Sequence, residues 1–126
     1  MGSRCRIWVV LADGMRLRIL QATDERAGFE EILHRNGGTI GPAAATRRFE
    51  TCAAHILNQA AFLKLYDALV LAGPPSSLHR LAQDLNASAN GRLVVTVPAD
   101  LLDLADPVLL ARLRSLLKSH PGINHD

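Results

Sequence analysis

The chain has 126 residues, 48% of them hydrophobic and 21% charged, with a formal net charge of +2. That length suits one domain whose core needs neither disulfides nor a structural metal, and the composition excludes collagen-like and disordered chains. The small charge excludes a highly basic nucleic-acid wrap, and the apolar run at residues 7–12 is too short to cross a bilayer.

Residues 6–12 read as a strand covered on both sides, with Ile7, Val9 and Leu11 on one face and Trp8, Val10 and Ala12 on the other. Asp13-Gly14 makes a tight reversal. Residues 15–21 return as a second, less buried strand, because Arg16 and Arg18 share a face with Leu20. After a polar loop at 22–28, residues 29–34 form a short third strand. Residues 36–46, with three glycines, Pro42 and a run of alanines, have no period and read as a long loop.

From 48 to 66, Phe49, Cys52 with Ala53, Ile56, Ala60 and Leu63 recur at helical spacing, with Thr46 as the N-cap. This reading buries Cys52 as a small hydrophobe. Residues 68–72 are a short apolar strand stopped by Gly73-Pro74-Pro75. Ser76 or Ser77 then caps a helix carrying Leu78, Leu81, Ala82 and Leu85, which ends before Asn90-Gly91. Residues 93–97 form another buried strand. Asp106 as N-cap and Pro107 at N1 open a last helix to about 119, with Leu109, Leu113 and Leu116 on one stripe. The order predicts a single three-layer α/β domain over residues 1–119. Its mixed sheet carries helices on both faces, as in ribonuclease-H-like folds, and 120–126 form a flexible C-terminal tail.

The basic residues are twelve Arg and two Lys, and residues 1–48 hold eight Arg against five acids, a local +3. Arginine suits a bidentate grip on phosphate or carboxylate. Arg16, Arg18, Arg35, Arg47 and Arg48 share one surface if the long loop folds over the second strand, a patch that would steer a phosphate backbone. The bland alternative is a solvated face with local pairs to Asp24, Glu30, Glu31 and Glu50. Trp8 and Phe49 read as buried, which leaves few aromatics for base stacking. Cys5 and Cys52 lack any dithiol or zinc spacing, the five histidines form no ligand pair, and no cofactor or metal is expected. His55 reads as a surface or packed histidine rather than a base.

Two sites invite chemistry. Asp13, at the end of the first strand, would hold a divalent metal if Asp84 or Asp100 converged on it, whereas its plain role is to cap its own turn. Gly73-Pro74-Pro75-Ser76-Ser77 lies where a buried strand feeds a helix. An anion could be held there by free amides with Ser76, Ser77, His79 and Arg80, although the prolines remove two donors. The plain reading is a rigid turn with an N-cap.

Two motifs carry a family resemblance: Val9-Val10-Leu11-Ala12-Asp13-Gly14 with Arg16 and Arg18, and Tyr66-Asp67-Ala68-Leu69-Val70-Leu71-Ala72-Gly73-Pro74-Pro75. Across residues 6–118 the chain resembles the bacterial host attachment proteins ("protein required for attachment to host cells"). Ser76-Ser77-Leu78-His79 departs from that family's Arg and Leu-Gly continuation, and Pro98-Ala99-Asp100-Leu101-Leu102 stands where a Lys-Asp-Leu-Thr segment is usual. The family is similar in turn to the middle domain of archaeal and eukaryotic class-I peptide release factors. Gly37 and Gly38 match the two glycines of their Gly-Gly-Gln loop, Thr39 replaces the glutamine, and Arg48-Phe49 match an Arg-Phe helix start. Threonine has no carboxamide, and separate stop-codon-reading domains are not expected in this chain, so peptide release is not expected either. The resemblance implies a cytoplasmic, non-enzymatic module that binds RNA, the ribosome or a protein partner. The alternatives are a metal-dependent nuclease or hydrolase using Asp13, or a homo-oligomer, down to a homodimer, acting in attachment.

Overall fold

The structure is a computed structural model. It describes the backbone of residues 6–13, 16–23, 29–36, 43–99 and 101–119, and the side chains of these except 23, 35, 36, 43–50 and 117–119. The expected C-terminal tail at 120–126 therefore lies outside the described residues.

Five strands form one sheet: β1 (Arg6–Ala12), β2 (Arg16–Thr23), β3 (Phe29–Asn36), β4 (Ala68–Ala72) and β5 (Leu93–Val97), in the order β3-β2-β1-β4-β5. β1 pairs antiparallel with β2 and parallel with β4, β2 pairs antiparallel with β3, and β4 pairs parallel with β5. The helices are α1 (Ala43–Phe62), α2 (Pro75–Asp84), the short α3 (Ala87–Asn90) and α4 (Asp106–Ser119). Trp8, Val10 and Ala12 of β1 join Leu69 and Leu71 of β4 in a core closed by residues of α1, α2 and α3. Ile7, Val9 and Leu11 join Ala68 and Val70 on the opposite face, closed by Leu101 and by Leu109 and Leu113 of α4. The alternation read in residues 6–12 is thus realised, and the domain is a three-layer α/β fold around a mixed sheet, with a ribonuclease-H-like topology.

Several local expectations are corrected. α1 begins at Ala43 rather than at 48, because three consecutive alanines, the strongest helix formers, extend it backwards through Thr46. Its buried face is Ala53, Ala54, Leu57, Ala60 and Ala61, whereas Cys52 is exposed and Leu63 is 60% exposed. The expected Ala53 and Ala60 lie on that face and Ile56 is half-buried against it, and the face extends over Ala54, Leu57 and Ala61 rather than over Cys52 and Leu63. α1 stops in a Schellman turn, with the Leu65 amide donating to the Ala60 carbonyl and the Lys64 amide to that of Ala61.

β2 is more buried than expected: Leu17, Ile19, Leu20 and Ala22 are all core residues, with a register shift between Ile19 and Leu20. β5 is less buried, with Val94 37% exposed, since it forms a sheet edge. α2 starts with Pro75 after an N-cap at Pro74 that makes no side-chain cap bond, so neither Ser76 nor Ser77 caps it. A separate turn, α3, is capped instead by Asn86, whose side chain accepts from the Ala89 amide at 3.0 Å. Asn58 of α1 joins the two, donating to the Asp84 carbonyl and accepting from the Asn86 amide. Asp106 is the first residue of α4 and its carboxylate is taken by Arg18, while the Ala105 carbonyl accepts the Leu109 amide.

Tyr66, the only tyrosine, is fully buried, stacks on Trp8 at 5.0 Å between ring centroids, and donates its hydroxyl to the Leu57 carbonyl at 2.9 Å. Burial pushes the phenol up to about 12, slightly opposed by Arg92. The native state therefore keeps its proton where the unfolded chain, near 10, loses it. This contribution to stability is complete below pH 10 and is lost as pH rises to about 12, an expected drop of about 2 kcal/mol. Tyrosinate absorbance titrating near the free-phenol value in the folded protein would contradict it.

Candidate functional site

The sheet topology gathers the sequence motifs at one end. β1, β3, β4 and β5 all run in the same direction, so their carboxyl ends share an edge with the start of β2. α1 and α2 follow β3 and β4 and begin at that edge. The chain leaves β1 towards β2 and leaves β4 towards β5, which makes the gap between β1 and β4 the point where connections diverge, a usual ligand position in open α/β sheets. Here the two sequence motifs meet. A Cβ on Gly73 would stand 2.0 Å from the Ala12 carbonyl oxygen, and the Gly73 amide donates to the Val97 carbonyl at 3.1 Å.

Asp13 closes its turn. Oδ1 accepts the Arg16 amide at 2.7 Å, and Oδ2 accepts Arg16 Nε at 2.8 Å and lies 2.6 Å from Nη2. The same Nη2 reaches Asp103 Oδ1 at 3.0 Å. Arg18, with only 15% of its side chain exposed, donates Nε to Glu31 at 2.9 Å and Nη1 to Asp106 at 3.0 Å. The hydrogen bond to Asp13, then that to Asp103, raises the Arg16 guanidinium above its usual range. Burial works against the Arg18 charge, but Asp106 and Glu31 outweigh it and leave that group raised as well. Arg16 and Arg18 are thus bound to carboxylates. Glu31 was foreseeable as a neighbour on the next strand, whereas Asp103 and Asp106 lie 87 and 88 residues away and no local pattern announces them.

The remaining candidates separate. Arg16 and Arg18 project on the α4 side, while α1, which carries Arg47 and Arg48, packs on the opposite face. Arg35 lies near the end of β3, opposite Leu17. Gly37, Gly38 and Thr39 lie outside the described residues, in the connection from that edge of the sheet to α1. Arg16 and Arg18 therefore meet on the α4 side of the sheet, whereas the side chains of Arg35, Arg47 and Arg48 lie outside the described ones.

Asp84 stands at the far end of α2 with its carboxylate 3.5 Å from the Thr51 hydroxyl, away from Asp13, and Asp100 is outside the described residues. Among the described residues no group of three His, Cys, Asp or Glu could hold a metal ion. At the start of α2, Ser76 and His79 are exposed, Ser77 is buried and Arg80 is half-buried with a partner of its own. The Leu78 amide is used by the Pro74 carbonyl at 3.0 Å. His55 is exposed on α1. No helix among the described residues is long and apolar enough to cross a membrane.

A family model described as bacterial archaeo-eukaryotic release factor family 12 matches residues 39–113. Among solved structures, an archaeal translation termination factor is similar over 90% of this chain, with a TM-score of 0.58 and 11% identity. A second archaeal protein matches over 90% with a TM-score of 0.53 and 14% identity. The Pelota protein of Thermoplasma acidophilum matches over 91% with a TM-score of 0.48 and 14% identity. The chain spans 39%, 37% and 39% of the length of these three proteins. No curated protein matches it.

Proposed function

The chain belongs to bacterial archaeo-eukaryotic release factor family 12, and from that membership we propose that it is a non-enzymatic module that binds RNA, free or in the ribosome, at the carboxyl end of its sheet. The observation that carries the proposal is the family match over 39–113, which spans α1, α2 and both strands of the parallel half of the sheet beyond β1. The similarity of fold to an archaeal translation termination factor supports the same direction. The reading is non-enzymatic because Asp13, the acid best placed for chemistry, is committed to its own turn and to Arg16. Attachment to host cells rests on the sequence motifs alone and draws nothing from the family match.

Arg16 and Arg18 are occupied by carboxylates, so the phosphate contacts fall to Arg47 and Arg48 in the first turns of α1. Each phosphate neutralised on a single strand contributes about 0.7 to the slope of log affinity against log salt. Binding of purified ribosomes or of a mixed RNA pool is expected to weaken steeply with salt. The double variant R47E/R48E is expected to bind about tenfold or more weakly, with a slope lower by about 1.4. Salt-insensitive binding, or none, sinks the proposal.

A further inference from the structure

α1 starts at the carboxyl edge of the sheet and ends at the opposite one. Three of the six large apolar residues exposed among the described ones lie there within four positions: Phe62, Leu63 and Leu65, at 79%, 60% and 42%. Phe62 also ends an exposed stripe of α1 that His55 and Gln59 begin at helical spacing. With Asn58 and with Asn86 of the α3 cap, the stripe lines an open groove of about 520 Å³. Two opposite charges flank it. Lys64, held past the helix end by the Schellman turn, is exposed. Asp84 at the end of α2 is exposed too, with its backbone carbonyl bound by Asn58 and its carboxylate 3.5 Å from the Thr51 hydroxyl. Neither forms an ion pair among the described residues. We propose that this end of α1 is the interface of a two-fold homodimer, in which α1 packs antiparallel on α1 of a second copy and each Phe62 covers the other copy's groove.

Charge selects the second copy. A nucleic acid is repelled by Asp84, and a partner of either single sign satisfies one flanking charge while opposing the other. A two-fold axis satisfies both, because in an isologous contact each residue meets the other's counterpart twice. Asn58 is the centre of such a contact: Lys64 follows it by six residues, and Thr51, beside the Asp84 carboxylate, precedes it by seven. Both lie about 10 Å from that centre along the helix, so reversing the helix brings Lys64 of each copy level with Asp84 of the other. The same reversal sets Phe62 level with the other copy's His55. An aromatic side chain buries about 150–250 Å². With Leu63, Leu65 and the groove walls, the contact falls near the lower bound of specific interfaces, roughly 1,000 Å² in total. The dimer is therefore weak and forms in the micromolar range. The first turns of α1 lie outside this contact, so the inference stands apart from the RNA-binding reading.

Sedimentation velocity of the whole chain across the micromolar range is expected to show a single chain at the low end and a pair at the high end. Phe62→Lys is expected to stay monomeric throughout, with its folding intact because residue 62 is exposed. Lys64→Glu and Asp84→Lys each set like charges together at both symmetry-related positions and are expected to weaken the dimer about tenfold. The double variant Lys64→Glu/Asp84→Lys exchanges the charges and is expected to restore it. A chain that is monomeric at every concentration overturns the proposal. So does a dimer that Phe62→Lys leaves intact, since the contact then lies elsewhere. Failure of the charge exchange to restore association overturns it too, since the helices then do not meet in this register. A monomeric chain whose affinity for an RNA oligomer falls in Phe62→Lys overturns it as well and assigns the groove to nucleic acid.

Discussion

Replacing Gly73 by alanine is expected to cost about 2–4 kcal/mol, a large share of the stability of a domain this size. The new Cβ would stand 2.0 Å from the Ala12 carbonyl oxygen and 3.2 Å from its carbon. Both are backbone atoms at the end of the innermost pair of strands, where β1 and β4 are in register from Ile7 and Ala68 to Leu11 and Ala72. Neither can rotate aside as a flexible side chain would. Relief requires the strand ends to part, which also strains the bond from the Gly73 amide to Val97. Gly91→Ala is the control. Its Cβ meets the Ala87 carbonyl oxygen at 3.2 Å, a contact eased by a small shift, and the expected cost stays within about 1 kcal/mol. Urea unfolding of both variants reads the difference, and equal midpoints would show that the strand ends are not closely packed.

The second large effect lies on α1. Leu57→Ala should destabilise the chain by about 3 kcal/mol, because the side chain is fully buried between the helix and the sheet and the cavity would not collapse completely. Leu63→Ala, at a residue 60% exposed, should change stability by no more than about 0.5 kcal/mol. The hydrophobic stripe read from sequence ranks the two the other way, with Leu63 on the buried face. Thermal or urea unfolding of the pair therefore distinguishes the two rotations of the helix directly.

The elements that were legible are those whose environment is written into a few consecutive residues. β1 and β4 read correctly because both of their faces are covered, so every residue from Ile7 to Ala12 and from Ala68 to Ala72 is apolar. α4 read correctly because Leu109 and Leu113 recur at one helical turn and both are buried. On α1 the stripe read from sequence holds at Ala53 and Ala60 and in part at Ile56, but it includes Cys52 and Leu63, which are exposed, and omits Ala54, Leu57 and Ala61, which are buried. β5 looked interior because its sequence is apolar, but burial of a strand depends on whether a neighbour pairs on each side, and β5 has one only on the β4 side.

The candidate site divides in the same way. The Asp13 turn was legible as a turn, since Asp-Gly between two strands carries its own explanation, and the carboxylate does bind the Arg16 amide within that turn. The partners of the strand arginines were not legible. Strand alternation puts Arg16 and Arg18 on one face, but only the packing of α4 and the segment before it supplies Asp106 and Asp103 to hold them.

By itself the sequence determined the order of strands and helices, the two-sided burial of β1, and the positions of the turns, because propensity and periodicity act over a few residues. The tertiary structure alone decided which charges are neutralised, why residue 73 must lack a side chain, and that Phe62 lies outside the core. Each of these depends on a partner dozens of residues away or on a missing one, and strand pairing and helix rotation set those meetings rather than any local pattern.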